Sequence, residues 1–137
     1  MNANQRTRVA AYAIIVEGER ILLCRLSAEL EKLAGQWTLP GGGIDFGEPP
    51  VSGMIREVLE ETGLVVRAVD IAHVDSFVSQ KEEATWHHVR IIYRAEVVSG
   101  ELRHEVQGST DRCEWFAKDE LPQLVDLAEI GVGLVSG

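Results

Sequence analysis

The stretches Gly42-Gly43-Ile44-Asp45-Phe46-Gly47-Glu48 and Arg56-Glu57-Val58-Leu59-Glu60-Glu61-Thr62-Gly63-Leu64 decide the fold of this chain. Between them, Pro49-Pro50 marks the favoured first turn of a helix. Gly63 is placed as the cap that follows the helix end, so the helix is expected to run to about Thr62. A glycine-rich loop therefore leads directly into a helix that carries a dense group of acidic residues.

Three glutamates are spaced so that they share one face of this helix. Glu57, Glu60 and Glu61 stand at positions i, i+3 and i+4. Because like charges at this spacing repel, each pair costs the helix roughly 0.2–0.5 kcal/mol unless something offsets the repulsion. A divalent cation would offset it, since Mg²⁺ prefers oxygen ligands and bridges carboxylates to substrate phosphates. The alternative is a solvated acidic face that holds no metal.

The order of these residues resembles the Nudix box, the signature of the Nudix hydrolases. From Gly42 the pattern reads Gly, five residues, Glu48, seven residues, Arg56-Glu57, an apolar residue, any residue, Glu60-Glu61, any residue, Gly63 and an apolar residue. Every specified position is met. The resemblance implies an α/β fold, namely an α/β/α sandwich around a mixed β-sheet.

The sequence on both sides of the box agrees with such a sheet. Strands are expected over 9–17, 20–26, 36–40, 64–79, 85–98 and 112–116, and a last helix over 118–135. Glycines 41–43 are expected to interrupt the third strand, and residues 81–83 to form a polar turn. With 137 residues, of which 45% are hydrophobic and 26% charged, residues 1–137 are expected to form a single domain.

The resemblance also implies a role for each residue of the box. Box glutamates bind metal in this family, so the candidate ligands of one to three Mg²⁺ or Mn²⁺ ions are Glu57, Glu60, Glu61 and the carbonyl group of Gly42. Arg56 is expected to orient the carboxylates. Glu48 is expected to hold the loop to the helix, and Gly63 to end the helix.

Further candidate roles concern the general base and contacts with the substrate. The general base stays open between Glu57 and Glu60 on the helix and a loop acid, either Glu105 or Asp111, because family members differ on this point. The candidates for contact with the substrate are Arg25, which projects from a strand, Phe46, which could stack on a base, and the same two loop acids.

Charge and apolar pattern limit the partners of the chain. A net charge of −9 argues against a nucleic-acid polymer, which needs a basic face. A metal bound to the carboxylates would nevertheless attract an anionic small molecule. The chain has no apolar run long enough for a membrane span and no secretory signal, so a cytoplasmic location is expected. Cys24 and Cys113 are expected to be buried free thiols, with a single disulfide between them as the alternative.

The resemblance to the Nudix hydrolases implies a metal-dependent pyrophosphohydrolase. Its substrate would be a nucleoside diphosphate linked to another moiety, either a small nucleotide or a nucleoside triphosphate, which is cleaved when water attacks phosphorus. The alternative is a non-catalytic, nucleotide-binding regulatory domain. Because members of the family often form dimers, a homodimer is also an expectation.

Overall fold

Seven strands and two helices make up the described part of the chain. The computed structural model describes residues 4–27, 33–103 and 110–135, with Asp111 described by its backbone alone. None of the described helices is long and apolar enough to cross a membrane. In chain order, the elements are β1 (Gln5–Glu17), β2 (Arg20–Leu26), β3 (Trp37–Thr38), β4 (Gly41–Gly43), α1 (Pro50–Thr62), β5 (Leu64–Lys81), β6 (Ala84–Gly100), β7 (Thr110–Ala117) and α2 (Asp126–Val135).

The strands form a mixed sheet in the order β3-β2-β1-β6-β5, with β4 paired to β1 and β7 paired to β2. β1 and β6 are parallel, whereas the β5–β6 and β2–β7 pairs are antiparallel. Apolar side chains alternate between two core clusters, one on each face of the sheet. Met54 and Val58 of α1 fill one cluster, and Leu127 and Ala128 of α2 fill the other. The expected α/β/α sandwich with a mixed sheet is confirmed.

One edge of β1 pairs with β6, while the other edge pairs first with β4 and then with β2. It pairs with β4 through Ala10, Ala11 and Tyr12, but with β2 through Val16 and Glu17. β2 and β4 therefore diverge from one another along β1. The helix α1 follows β4 closely in the chain and lies against the same part of the sheet.

The ends of α1 follow from local sequence chemistry. Pro49 precedes the helix with extended backbone, and Pro50 occupies its first position. Gly63 ends the helix in the left-handed conformation (φ 81°), and its N–H group donates to the carbonyl oxygen of Leu59. A Cβ atom at Gly63 would lie 2.4 Å from the carbonyl oxygen of Glu101, so the position requires glycine.

The expected interruption at Gly41–Gly43 is wrong, because these residues form β4. Their backbone pairs with β1, and at Gly41 a side chain would not fit. A Cβ atom at Gly41 would lie 2.3 Å from the carbonyl oxygen of Ala11 and 2.6 Å from the Cα atom of Tyr12. The glycines therefore allow a close approach of two strands instead of ending one.

The last helix begins at Asp126, later than the sequence predicts. The backbone before α2 forms hydrogen bonds with β3 and therefore not within a helix. The N–H group of Trp37 donates to the carbonyl oxygen of Gln123, and the N–H group of Val125 donates to the carbonyl oxygen of Trp37. Pro122 further disfavours a helical conformation at Leu121. Residues 118–125 therefore run alongside the sheet before the helix starts.

The expectation of free thiols is also wrong. Cys24 on β2 and Cys113 on β7 are register partners, with their Cα atoms 4.1 Å apart, and the structure joins them as a disulfide. Both residues are fully buried. Their sequence separation of 89 residues hides this adjacency, which only the β2–β7 pairing creates.

Candidate active site

Arg56 is the centre of the polar network that connects the glycine-rich loop to α1. Its Nε and Nη2 atoms donate to the two carboxylate oxygens of Glu48, each at 2.9 Å. Its Nη1 atom donates to Glu57 at 3.1 Å and to Glu60 at 3.3 Å. Nη2 also donates to the carbonyl oxygen of Gly43 at 3.2 Å. One guanidinium group thus fixes the β4 backbone, the loop and the helix relative to one another.

Glu48 completes the connection between loop and helix. Besides the two bonds from Arg56, it accepts a hydrogen bond from the backbone N–H group of Asp45 at 2.9 Å. These bonds, led by those from Arg56, lower the pKa of Glu48 from 4.5 to about 2. Gly53 makes room for this arrangement, since a Cβ atom there would lie 2.5 Å from Ile44 and 2.9 Å from Glu48.

Two of the box glutamates reach the backbone of β4. A Cβ atom at Gly42 would lie 2.8 Å from Oε2 of Glu57, so this carboxylate is packed directly against the glycine. The N–H group of Gly41 donates to Oε2 of Glu61 at 3.4 Å. Glu61 is buried, with 3% of its surface exposed, although it carries an ionisable group. Glu57 and Glu61 therefore flank the glycine backbone where the resemblance places a metal.

Glu60 occupies a different position. Its side chain is 52% exposed, and both of its carboxylate oxygens lie 3.3 Å from Nη1 of Arg56. Among the described residues, no three His, Cys, Asp or Glu side chains form a group that could hold a metal ion. Glu57 and Glu61 lie closer to the backbone of β4 than the exposed Glu60, but the roles of all three as metal ligands stay predictions.

A cavity of about 260 Å³ opens where β2 and β4 diverge. Its walls come from the four strands β1, β2, β3 and β4 and from the start of β7. The lining residues are Arg8, Tyr12, Leu26, Thr38, Gly41, Gly42 and Thr110. The cavity therefore lies beside the glycine backbone that Glu57 and Glu61 flank.

The candidate substrate residues lie in different places. Arg25 is half-buried on β2, next to the cavity residue Leu26, but does not line the cavity itself. Phe46 is fully exposed in the loop before α1. Glu105 lies outside the described residues, and nothing is described of the side chain of Asp111.

The model of the NUDIX domain matches residues 6–132, nearly the whole chain. The chain belongs to the Nudix family. The match contains all nine elements of the described structure except the first residue of β1 and the end of α2. Arg56, Glu48 and the glutamates of α1 are thus the Nudix-box residues of this domain.

Similar proteins support the family assignment. A MutT Nudix hydrolase from Burkholderia pseudomallei, known from its crystal structure, is 33% identical, with a TM-score of 0.78 over 95% of this chain and 98% of that one. An ADP-ribose pyrophosphatase of Methanocaldococcus jannaschii is 30% identical over 85% of this chain and 65% of its own length. An RNA pyrophosphohydrolase of Bartonella henselae is 32% identical over 73% of this chain and 49% of its own length. The Nudix chain thus spans about half to two thirds of these two curated relatives.

Sequence reasoning missed the residues that form the cavity of this Nudix domain. Arg8, Tyr12, Thr38 and Thr110 carry no motif, and they are brought together only by the strand pairing. The one sequence signal was their position in strands next to the box, which does not distinguish a cavity wall from an ordinary strand surface.

Proposed function

We propose that this chain is a metal-dependent pyrophosphohydrolase that cleaves a nucleoside diphosphate linked to another moiety. The main support for this proposal is the arrangement at β4, where Glu57 and Glu61 flank the Gly41–Gly42 backbone at the wall of a cavity. This arrangement places carboxylates beside a space in which the phosphates of a nucleotide could lie.

The residues present fit a hard divalent cation. Carboxylate oxygens of Glu57 and Glu61 and a backbone carbonyl of Gly42 form an all-oxygen donor set, which suits Mg²⁺ or Mn²⁺. When bound, such an ion neutralises phosphate charge and lowers the pKa of a water molecule. We propose Glu57 and Glu61 as main ligands of one to three ions, with Glu60 as a further ligand or an aid to water activation.

Arg56 acts through the carboxylates that it holds. Its bonds to Glu57 and Glu60 orient two acidic groups, while its bonds to Glu48 keep the loop against the helix. The general base is proposed among Glu57, Glu60, Glu105 and Asp111.

The names of two relatives and the charge of the chain support the proposed substrate class. Two curated relatives are named as an ADP-ribose pyrophosphatase and an RNA pyrophosphohydrolase, and both names denote cleavage of a phosphoanhydride. The net charge of −9 favours a small nucleotide over an RNA chain. Arg25 and Phe46 are proposed to contact the substrate from the rim of the site.

The expected homodimer is proposed to form at the edge strand β5. Several apolar side chains of β5 are more than half exposed, namely Val69, Ile71, Val74 and Val78. Within the described part of the chain, β5 pairs with β6 and leaves its other edge open. A long apolar edge strand favours pairing with another copy.

The cytoplasmic location is a separate proposal. It is drawn from the sequence, and the Cys24–Cys113 disulfide counts against it, because disulfides are rare in a reducing cytoplasm. Fractionation of cells would show the compartment of the protein. Labelling of its free thiols in each fraction would show whether Cys24 and Cys113 are oxidised.

A nucleotide screen tests the proposed activity. The panel holds canonical and oxidised nucleoside triphosphates, ADP-ribose, dinucleoside polyphosphates, NADH, nucleotide sugars and a 5′-triphosphorylated RNA, each with Mg²⁺ or Mn²⁺. Product masses identify the bond that breaks, and a Glu61→Gln variant provides the comparison. We expect one class of small nucleotide to be cleaved by the wild type only. Tight nucleotide binding without cleavage would instead support the regulatory alternative.

A further inference from the structure

A second cavity lies on the face of the sheet that α2 only partly covers. It measures about 270 Å³, and we call it the ring pocket. It is built from β1, β5 and β6, close to the β5–β6 turn. Its lining residues are Arg8, Ser79, Lys81, Trp86 and His88.

Two residues that line the ring pocket, Trp86 and His88, carry aromatic rings, and Phe77 stacks on His88. The rings of Phe77 and His88 stack with centroids 4.6 Å apart and planes 13° from parallel, and the Trp86 ring lies 6.3 Å from that of His88. Oγ of Ser79 lies 2.9 Å from Nε2 of His88, and this hydrogen bond fixes the orientation of the imidazole. Burial, together with the charges of Arg8, Arg90 and His87, lowers the pKa of His88. The imidazole is therefore a neutral, flat surface at physiological pH.

The rim of the ring pocket is cationic in an acidic protein. Arg8 and Lys81 are exposed there, and neither forms an ion pair with a carboxylate of residues 4–27, 33–103 and 110–135. Neighbouring arginines differ in this respect. Arg90 is held by Asp75 at 2.8 Å and by Asp126 at 3.2 Å, and Arg94 by Asp70 at 3.0 Å. Two unpaired cations beside aromatic rings suit a ligand that combines a flat ring with phosphate.

Arg8 connects the ring pocket to the candidate active site. The same side chain lines the cavity that contains Gly41 and Gly42. A Cβ atom at Gly43 would lie 3.4 Å from Nη2 of Arg8, so the guanidinium group lies directly above β4. Each cavity alone is smaller than the roughly 300 Å³ of a typical small-molecule site, so each would hold one end of an extended ligand.

We propose that the ring pocket binds the aromatic ring of a second nucleoside, so that the preferred substrate is a dinucleotide with rings at both ends. Its diphosphate lies between the rings, beside Arg8 and the glycine backbone of β4. This inference rests on the proposed function for the position of the diphosphate. It adds that the second ring, and not only the first nucleotide, decides which substrate is selected.

Two ligands that differ only at the second end provide the test. ADP-ribose and P1,P2-diadenosine diphosphate share an adenosine and a diphosphate, but only the latter carries a second adenine. Their dissociation constants are measured by calorimetry with Mg²⁺ in a Glu57→Gln background, which is expected not to cleave them. We expect the diadenosine ligand to bind about tenfold more tightly, or more. Its second ring should also quench tryptophan fluorescence.

Variants of the ring pocket show whether this preference originates there. Trp86→Leu should remove the preference, leaving equal dissociation constants for both ligands. Arg8→Gln should weaken both ligands by a similar factor, because both carry the diphosphate, whereas Arg67→Gln, on an exposed strand surface, should change neither. Circular dichroism shows whether Trp86→Leu folds. If it does not, Lys81→Glu still tests the ring pocket, because it replaces an exposed residue at the rim and should reduce the preference for the diadenosine ligand.

The outcomes separate this inference from the proposed function. Equal dissociation constants for the two ligands in the Glu57→Gln background would overturn the proposed role of the ring pocket. A preference that survives both Trp86→Leu and Lys81→Glu would do the same. Failure of the wild type to cleave any nucleotide would overturn the proposed activity instead. The binding preference can be measured in either case, because it does not depend on turnover.

Discussion

At the scale of single residues, Arg56 connects more parts of the site than any other residue described above, since its guanidinium group binds the loop, β4 and α1. A lysine at this position cannot make the paired contact with Glu48 and reach Glu57 and Glu60 as well. We expect Arg56→Lys to lower kcat about 10- to 100-fold, in the range typical of residues that orient metal ligands. Steady-state kinetics measure the effect. Arg67→Lys, at an exposed ion pair with Glu96, is the matched control and should have no effect. Full activity in Arg56→Lys would contradict an orienting role.

Glu48 makes a prediction about acid stability. Its pKa is about 2 in the folded protein and 4.5 ordinarily, so the folded state binds its proton less readily than the unfolded state. The stabilisation from Glu48 is therefore fully present above about pH 4.5 and is lost as pH falls from 4.5 to 2. Denaturant titrations of wild type and Glu48→Gln should give free energies of unfolding that differ at pH 6 and converge towards pH 2.

A control separates Glu48 from a general loss of one negative charge. Glu129→Gln removes an exposed carboxylate from α2. The difference between its free energy of unfolding and that of the wild type should not show the same convergence from pH 6 to pH 2. A constant gap between wild type and Glu48→Gln from pH 6 to pH 2 would show that the Arg56 contact does not lower this pKa.

At the scale of elements, the glycines of β4 make opposite predictions. Gly42→Ala would push only the flexible carboxylate of Glu57, so we expect activity to fall strongly while the Tm changes little. Gly41→Ala would drive a Cβ atom into the backbone of β1 at a φ of 139°, so we expect it to lower the Tm severely. Thermal unfolding and activity measured on both variants decide this. Similar Tm values for the two would show that β4 does not approach β1 as described.

Local chemistry in the sequence predicts some elements and not others. α1 could be predicted from Pro50 at its start and Gly63 at its end, and β2 from its apolar run with turn residues before it. β4 could not be predicted, because consecutive glycines usually indicate a turn and only their fit against β1 explains a strand. The start of α2 was equally hidden, since it depends on backbone bonds between Trp37 and residues distant in sequence.

At the scale of the whole molecule, the exposed face of β5 predicts self-association. Val74→Asp places a charge on the apolar edge and should convert a dimer into the 15.1 kDa monomer. Val98→Asp, at another exposed position on β6, is the matched control and should leave the dimer intact. Sedimentation velocity measures the mass. A wild type that is monomeric at high micromolar concentration would contradict the proposed dimer.

Long-range pairing also limits what the sequence reveals about the site. The Nudix box contains Arg56, Glu57 and Glu61 within a few residues, so a local pattern could identify them. Arg8, Trp86 and Thr110 come from three separate strands, and only the sheet order brings them to the two cavities. The disulfide of Cys24 and Cys113 was missed for the same reason.

Manganese binding measured together with turnover tests the central claim most directly. Free Mn²⁺ is followed by electron paramagnetic resonance in wild type, Glu57→Gln, Glu61→Gln and the exposed control Glu129→Gln, and each protein is assayed on the best substrate of the screen. The account predicts that Glu57→Gln and Glu61→Gln lose Mn²⁺ affinity and orders of magnitude of turnover, while the control keeps both. Unchanged affinity and turnover in the two variants would contradict a metal site at β4.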